Sequence, residues 1–348
     1  MTGKEIKEAL SLVRPDEIED LFARAYAEKI RSCGIGVAVR GIVEAGNICA
    51  KDCFYCGIRK SNGCVGRYSL PLEEIVAGAE TCRRLGYASL VIQSGEIESE
   101  THTRFIEDAL RAIAPLKLGV TLSLGEQTEE VYARWRAAGA TRYLLRIETS
   151  NRKLYAKIHP PECSWERRVE CLRALRRCDY QVGTGVMCAL PGQTVDDLAR
   201  DIEFYREIDA DMIGMGPYLE AENTPLREVS RAECIVHGTE ERLLMGLKMI
   251  AATRLHLKDV NIAAATALQA LADDGRERGV KAGANVIMPN VTDVRYRRNY
   301  QLYSGKPCLD ENASMCRSGL DRRLAAIGER ILYGEYGDSR RYSAKHVS

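Results

Sequence analysis

The chain has 348 residues, 45% of them hydrophobic and 28% charged, with 50 Lys and Arg against 49 Asp and Glu. That composition is globular and excludes disorder for the bulk of the chain. The near-zero net charge offers no basic footprint for nucleic acid or anionic lipid, and no apolar run approaches the roughly 18 residues of a membrane-spanning helix.

Residues 1–34 begin MTGKEIKEALSLVRPDEIEDLF, a charged amphipathic pattern without the apolar core of a secretory signal. They predict a helical extension, and a cytoplasmic protein is expected. From there, short apolar runs alternate with helical patterns. GVAVRGIVE (36–44) reads as a strand and LPLEEIVAGAETCRRLG (70–86) as a helix. Strands ASLVIQ (88–93), LGVTLSL (118–124) and TRYLLRIE (141–148) follow, separated by helices over 102–114 and 128–139. A helix over 164–178 leads to strand YQVGTGVMC (180–188), and one over 194–208, opening on the capping pair Thr194 and Asp197, leads to ADMIGMGP (210–217). A long helix (239–256), strand NIAAAT (261–266), a helix over 267–279 and strand ANVIMP (284–289) close the series.

The strands are unbroken apolar runs, as expected when a parallel sheet is covered on both faces. Eight βα units over 35–300 predict an α/β fold, a (β/α)8 TIM-type barrel. An open doubly wound sheet is the other arrangement that the pattern permits. Residues 301–348 read as an irregular C-terminal tail.

Thirteen cysteines, odd in number and irregularly spaced, argue against a disulfide framework. Most read as small buried hydrophobes. Cys49, Cys53 and Cys56 stand apart, with spacing Cys-x3-Cys-x2-Cys on a loop just after the first strand. Three soft ligands without a nearby His suit an iron–sulfur cluster better than zinc, which would need a fourth ligand from elsewhere. Three thiolates on a four-iron cluster leave one iron open, as catalysis requires.

This triplet, with Tyr55 before its last cysteine and a barrel around it, resembles the radical S-adenosylmethionine (SAM) superfamily. The resemblance implies a 4Fe-4S cluster on Cys49, Cys53 and Cys56, with SAM chelated by the open iron. Cluster reduction then cleaves SAM to a 5′-deoxyadenosyl radical. By position in the family pattern, Gln93, Ser94, Gly95 and Glu96 end the second strand where the cofactor amino group is received. Ser123, Glu148 and Arg168 are implied at the cofactor, Glu148 on the ribose and Arg168 on the carboxylate. Met187 and Leu190 flank a Pro-Gly turn near the adenine. Arg40, Thr121, Ile147, Thr266, Tyr296 and Tyr300 are implied around the substrate cavity.

Segments such as VTLSLGE, GANVIMPN and YQLYSGKPC narrow the resemblance to the group of HydE-type FeFe-hydrogenase maturases, methylornithine synthase and biotin synthase. It implies a small-molecule or organometallic substrate, a reductant such as ferredoxin or flavodoxin, and other hydrogenase maturases as partners. An amino-acid mutase and an iron–sulfur carrier are the alternatives. The chain departs from the HydE pattern twice. Ile147 stands where a His is usual, and Gly319 replaces the third cysteine of an auxiliary-cluster motif begun by Cys308 and Cys316.

Overall fold

The computed structural model describes residues 1–229, 233–310 and 313–346, the side chains of 314–316 excepted. Ten strands are formed: β1 Ala38–Gly46, β2 Ser89–Ser94, β3 Gly119–Ser123, β4 Ala140–Leu144, β5 Gln181–Thr184, β6 Met187–Cys188, β7 Met212–Ile213, β8 Gly216–Pro217, β9 Asn261–Ile262 and β10 Val286–Ile287. Eight of them make one sheet in the order β10-β1-β2-β3-β4-β5-β7-β9, all neighbours parallel. The parallel bridge Ala263–Val286 joins its two edges, with Asn285 N–H on Ile262 O at 2.9 Å and Ala264 N–H on Val286 O at 2.9 Å. The sheet therefore closes, and the (β/α)8 barrel is the fold rather than the open doubly wound sheet.

Side-chain alternation divides each strand between two environments. On β1, Val43 Cγ2 lies 2.5 Å from where a Cβ on Gly78 would stand, and Cys82 Sγ 2.3 Å from one on Gly41. The odd-numbered residues thus face the helix Leu72–Arg84, and Arg40, Ile42 and Glu44 face the barrel axis. The main apolar core lies between strands and helices and holds Val39, Val43, Leu90, Ile92, Val120, Leu122, Tyr143, Leu145 and Ile147.

Two of the predicted strands break. Residues 180–188 divide into β5 and β6, and 210–217 into β7 and β8. Gly185 and Gly214 cause it: a Cβ on Gly185 would stand 2.0 Å from Gly214 O. The two backbones touch and bend together, and β6 pairs with β8 as a short second sheet. The predicted helix 267–279 also divides, into Thr266–Leu271 and Gly275–Lys281. At that turn, a Cβ on Gly275 would stand 2.1 Å from Leu268 O. The Thr194–Asp197 capping box forms as expected.

The tail is more ordered than its sequence suggests. It contains helices Ala313–Ala326 and Arg340–Lys345, and the stretch between them seals the N-terminal end of the barrel. Arg142 holds Tyr336 O at 2.9 Å and pairs with Asp338, whose carboxylate also accepts from Gln181 Nε2 at 2.6 Å. Gly337 O accepts from Arg40 and Asn261 at 3.0 and 2.8 Å. The first 34 residues form helices Gly3–Leu10 and Pro15–Cys33. No helix among the described residues is long and apolar enough to cross a membrane.

Candidate active site

The three cysteines lie on the loop leaving β1 at the C-terminal end of the barrel, where (β/α)8 enzymes place their chemistry. The loop has little regular structure, so its backbone groups must be satisfied otherwise. Arg67 does much of this, donating to Asn47 O and Ile58 O at 2.7 and 2.8 Å and to Arg59 O and Asn62 O at 2.5 and 3.1 Å. Asn47 braces the start of the loop through Gly66 O and Asn299 O.

The second strand end locks onto it. Ala50 N–H meets Glu96 O at 2.7 Å, and Glu96 N–H points at Cys49 Sγ at 3.4 Å. Gly95 is the only residue type that fits its position, since a Cβ there would stand 2.2 Å from Ile48 O.

None of the three cysteines is disulfide-bonded and each is partly buried. Burial pushes all three thiols up, Cys56 to about 12. A bound cation must therefore draw the protons off, as thiolate sites require. Among the described residues, no three His, Cys, Asp or Glu side chains converge as the ligands of a single ion do. Three thiols on one loop are the donor set of a cluster, in which each thiolate serves its own iron.

Beside the loop lies a small apolar cluster of Leu154, Ile158, Met187, Leu190, Tyr218 and Leu226, with Phe54 and Tyr55 packed on it. Met187 and Leu190 thus share one surface with the cysteine loop. Gln193 supports their turn, donating to Met187 O at 3.0 Å and accepting from Leu190 N–H at 3.1 Å.

Glu148 faces the same space. Its φ of 65° is a left-handed conformation unusual for Glu. The turn is held by Glu148 N–H on Gly185 O at 3.0 Å and Met187 N–H on Glu148 O at 3.1 Å. Its carboxylate is buried, with Oε2 3.0 Å from Arg146 Nη2 and the Tyr55 hydroxyl also within its reach, which leaves lone pairs on its two oxygens for further donors. Burial raises its pKa against the pull of Arg146 and Arg168. A buried acceptor with spare capacity fits a ligand that brings hydroxyl donors.

The other expected cofactor residues are already engaged. Arg168 is buried, with Nε on Glu126 Oε1 at 2.5 Å and Nη1 on Arg146 O at 2.8 Å. Burial opposes its charge, but Glu126 holds its pKa well above the ordinary value. Glu96 is paired with Lys51 at 3.0 Å, so its carboxylate does not stand free for an ammonium. Its backbone, with that of Ser94 and Gly95, still borders the cysteine loop. Ser123 ends β3 opposite Gln93, and Gln93 donates toward the Tyr300 hydroxyl.

Sequence reasoning missed His159. Burial lowers its pKa to about 3, so it is neutral. Its Nδ1 lies 3.0 Å from Tyr155 O, which can only accept. The proton therefore sits on Nδ1, leaving Nε2 to accept from the Tyr55 hydroxyl at 3.4 Å. His159 so positions the aromatic ring next to Cys56. Lys51, Glu126 and Arg146 were missed too; the first two pair with charges on other βα units, and Arg146 pairs with Glu148 and also donates to Val186 O at 2.9 Å.

Around the axis, Arg40 and Thr121 line a small inner cavity with Val91, Leu144 and Met212. Arg40 is turned toward the barrel floor by Gly337 O and lies far from the cysteine loop along β1. Thr266 lines a larger cavity near the tail. Tyr300 is buried beneath the loop, whereas Tyr296 stacks on Tyr68 at 5.2 Å and lines neither cavity. Ile147 departs from expectation. It belongs to the outward-facing core, fully buried, with its N–H on Thr184 Oγ1 at 3.2 Å. Its side chain packs into the core between strands and helices, away from the substrate space. Cys308 lines the larger cavity; Cys316 lies outside the described side chains.

Asp201 fixes the turn after Glu148 by accepting from Ser150 N–H and Oγ, both at 2.6 Å. Burial pushes its pKa up to about 7. The folded protein therefore keeps a proton that the unfolded chain sheds near pH 4, and stability falls as pH rises from there to about 7, by roughly 1.4 kcal/mol per unit. Asp201→Asn is expected to flatten this dependence in denaturant titrations at pH 5 and 7. An unchanged slope would assign it to another group.

Comparison with known proteins agrees with this geometry. The family model described as the radical SAM superfamily matches residues 43–205. The chain is 40% identical over 329 residues to the [FeFe] hydrogenase maturase subunit HydE of Thermotoga maritima, covering 94% of this chain and 91% of that one. It is 25% identical to 3-methylornithine synthase of Methanosarcina acetivorans over 86% of this chain and 83% of that one. The crystal structure of methylornithine synthase (PylB) superposes with a TM-score of 0.82 at 22% identity, covering 100% of this chain and 96% of that one. The superfamily's enzymes use a 4Fe-4S cluster and SAM, and the thiol set on this loop, the apolar surface beside it and the buried Glu148 carboxylate fit both. The chain belongs to the radical SAM superfamily, as a radical SAM enzyme related to HydE.

Proposed function

We propose that the chain performs the HydE-type step in assembling the diiron cofactor of FeFe-hydrogenase, acting on an iron–dicarbonyl–cyanide–cysteine precursor. The supporting observation is the 40% identity to HydE along nearly the whole of both chains. In this reading Cys49, Cys53 and Cys56 hold the cluster. When bound, cluster and SAM supply the electron and the leaving group that generate a 5′-deoxyadenosyl radical.

The chain's own residues do the rest. Tyr55, Met187 and Leu190 offer the adenine an apolar face, and Glu148 accepts from the ribose hydroxyls. The Arg168–Glu126 pair orients Arg146, whose carbonyl it holds, and with it the Glu148 carboxylate. The tail segment 336–339 closes the barrel floor, so that radical chemistry on the axis is shielded from water. Ile147 faces the helices, and its replacement of His leaves the inner wall unaltered. A small reductant protein, ferredoxin or flavodoxin, delivers the electron, and other hydrogenase maturases supply and receive the intermediate.

The test is anaerobic incubation of reconstituted protein with SAM, dithionite and the precursor. The expected result is 5′-deoxyadenosine together with spectroscopic conversion of the precursor. Formation of 5′-deoxyadenosine with turnover of lysine instead would favour an amino-acid mutase, and no 5′-deoxyadenosine at all would point to a cluster carrier.

Glu148→Gln is expected to weaken SAM binding about tenfold or more in calorimetric titration, because a charge-assisted hydrogen bond contributes about 1.5–3 kcal/mol. An unchanged affinity would remove Glu148 from the ribose.

A further inference from the structure

A cavity of about 950 Å3 opens beside the barrel axis, bordered by Ile42 and Glu44 of β1, the segment after β10 and the tail helix Ala313–Ala326. Among the described residues, four cations and one carboxylate line it. Three of the cations are accounted for. Lys306 is paired with Glu44, Arg323 with Glu277 at 3.1 Å, and Arg322 is exposed to solvent.

Arg276 is different. Its side chain is 94% buried, its Nε has no hydrogen-bond partner, and among the described residues Nη2 meets only Cys308 Sγ, at 4.0 Å. A buried guanidinium without a carboxylate is costly, and a ligand anion that meets its planar fork would relieve that cost.

We propose that this cavity binds a small carboxylate-bearing molecule with Arg276 as its anchor, and that this carboxylate is the substrate's. One buried cation without a carboxylate among the described residues matches a monoanionic carboxylate better than a doubly charged phosphate. The carboxylate site stands on the cavity itself; its assignment to the substrate rests on the function proposed above.

Cys308, which also lines the cavity, provides the reporter. Reconstituted protein is alkylated anaerobically with iodoacetate or with neutral iodoacetamide, and the modified peptides are quantified by mass spectrometry. Exposed Cys64 serves as the internal reference. The iodoacetate-to-iodoacetamide rate ratio at Cys308 is expected to exceed that at Cys64 by about tenfold, as a buried charge-assisted contact implies. Arg276→Gln should bring the ratio to the Cys64 value, and Arg276→Lys should keep part of the excess. Iron content and circular dichroism confirm that both variants fold.

Propionate, a monoanionic carboxylate, should slow the reaction at Cys308, and inorganic phosphate at equal concentration should not. Equal ratios at the two cysteines, a Cys308 that neither reagent reaches, an unchanged Arg276→Gln, or equal protection by phosphate would each overturn the carboxylate site. Protection by propionate but not by the iron–carbonyl–cyanide–cysteine precursor would overturn its assignment to that substrate. Absence of precursor turnover, read separately, would bear on the proposed function alone.

Discussion

Cys53→Ala protein, reconstituted with iron and sulfide, is expected to form no 5′-deoxyadenosine above background and to lose most of its bound iron. Two thiolates do not retain a four-iron cluster that also needs one iron open. The fold should survive, because the loop is held by backbone contacts that alanine preserves: Cys56 N–H on Cys53 O at 3.2 Å and Phe54 N–H on Ile158 O at 3.0 Å. Circular dichroism and the melting temperature should therefore stay near those of the parent chain. Cys308→Ala, away from the cysteine loop, should leave cleavage within a few-fold of the parent. Cys163 is the sharper control. It lies close enough to Cys53 for their charges to interact, yet it sits outside the triplet, and Cys163→Ala should retain both iron and cleavage. Near-parental activity in Cys53→Ala, or loss of iron in Cys163→Ala, would show that the ligand set has been misread.

The barrel was readable because burial on both faces leaves a continuous apolar run in each strand. What stayed hidden depended on close backbone approach. Nothing in GTGVMC or MIGMGP announces that Gly185 and Gly214 touch, since the two lie on separate βα units. The cysteine loop was readable from spacing alone, as three thiolates in eight residues have few uses. Its supports were not. Arg67 looks like any surface arginine until the loop folds around it, and Glu126 with Arg168 is a pair across 42 positions. The tail was read as irregular because its contacts are polar and distant: Asp338 meets Arg142 and Gln181 at separations of 196 and 157. Ile147 shows the converse. Alternation in Arg146–Ile147–Glu148 already sets it opposite its neighbours, and although β4 ends at Leu144 and Glu148 turns left-handed, Ile147 still packs into the core between strands and helices.

Lys29→Met is expected to be the most destabilising single change outside the site. Lys29 and Glu329 are both fully buried, with Nζ 2.7 and 2.6 Å from the two carboxylate oxygens. The Tyr26 hydroxyl donates to the same carboxylate at 2.8 Å, and burial together with that bond pushes the Tyr26 pKa up to about 12. The pair ties the helix Pro15–Cys33 to the tail, so one buried contact spans almost the whole chain. Burial lowers the Lys29 pKa against the pull of Glu329, which marks the desolvation that the pair must overcome. Removing the cation alone strands a buried carboxylate on a single phenol, a change that typically costs about 3–5 kcal/mol. Removing both charges, as in Lys29→Met with Glu329→Gln, should restore most of that loss. Guanidinium titrations of the parent, single and double variants measure both effects. A single variant as stable as the parent, or a double variant no better than the single, would show that the pair is not what joins the two ends of the chain.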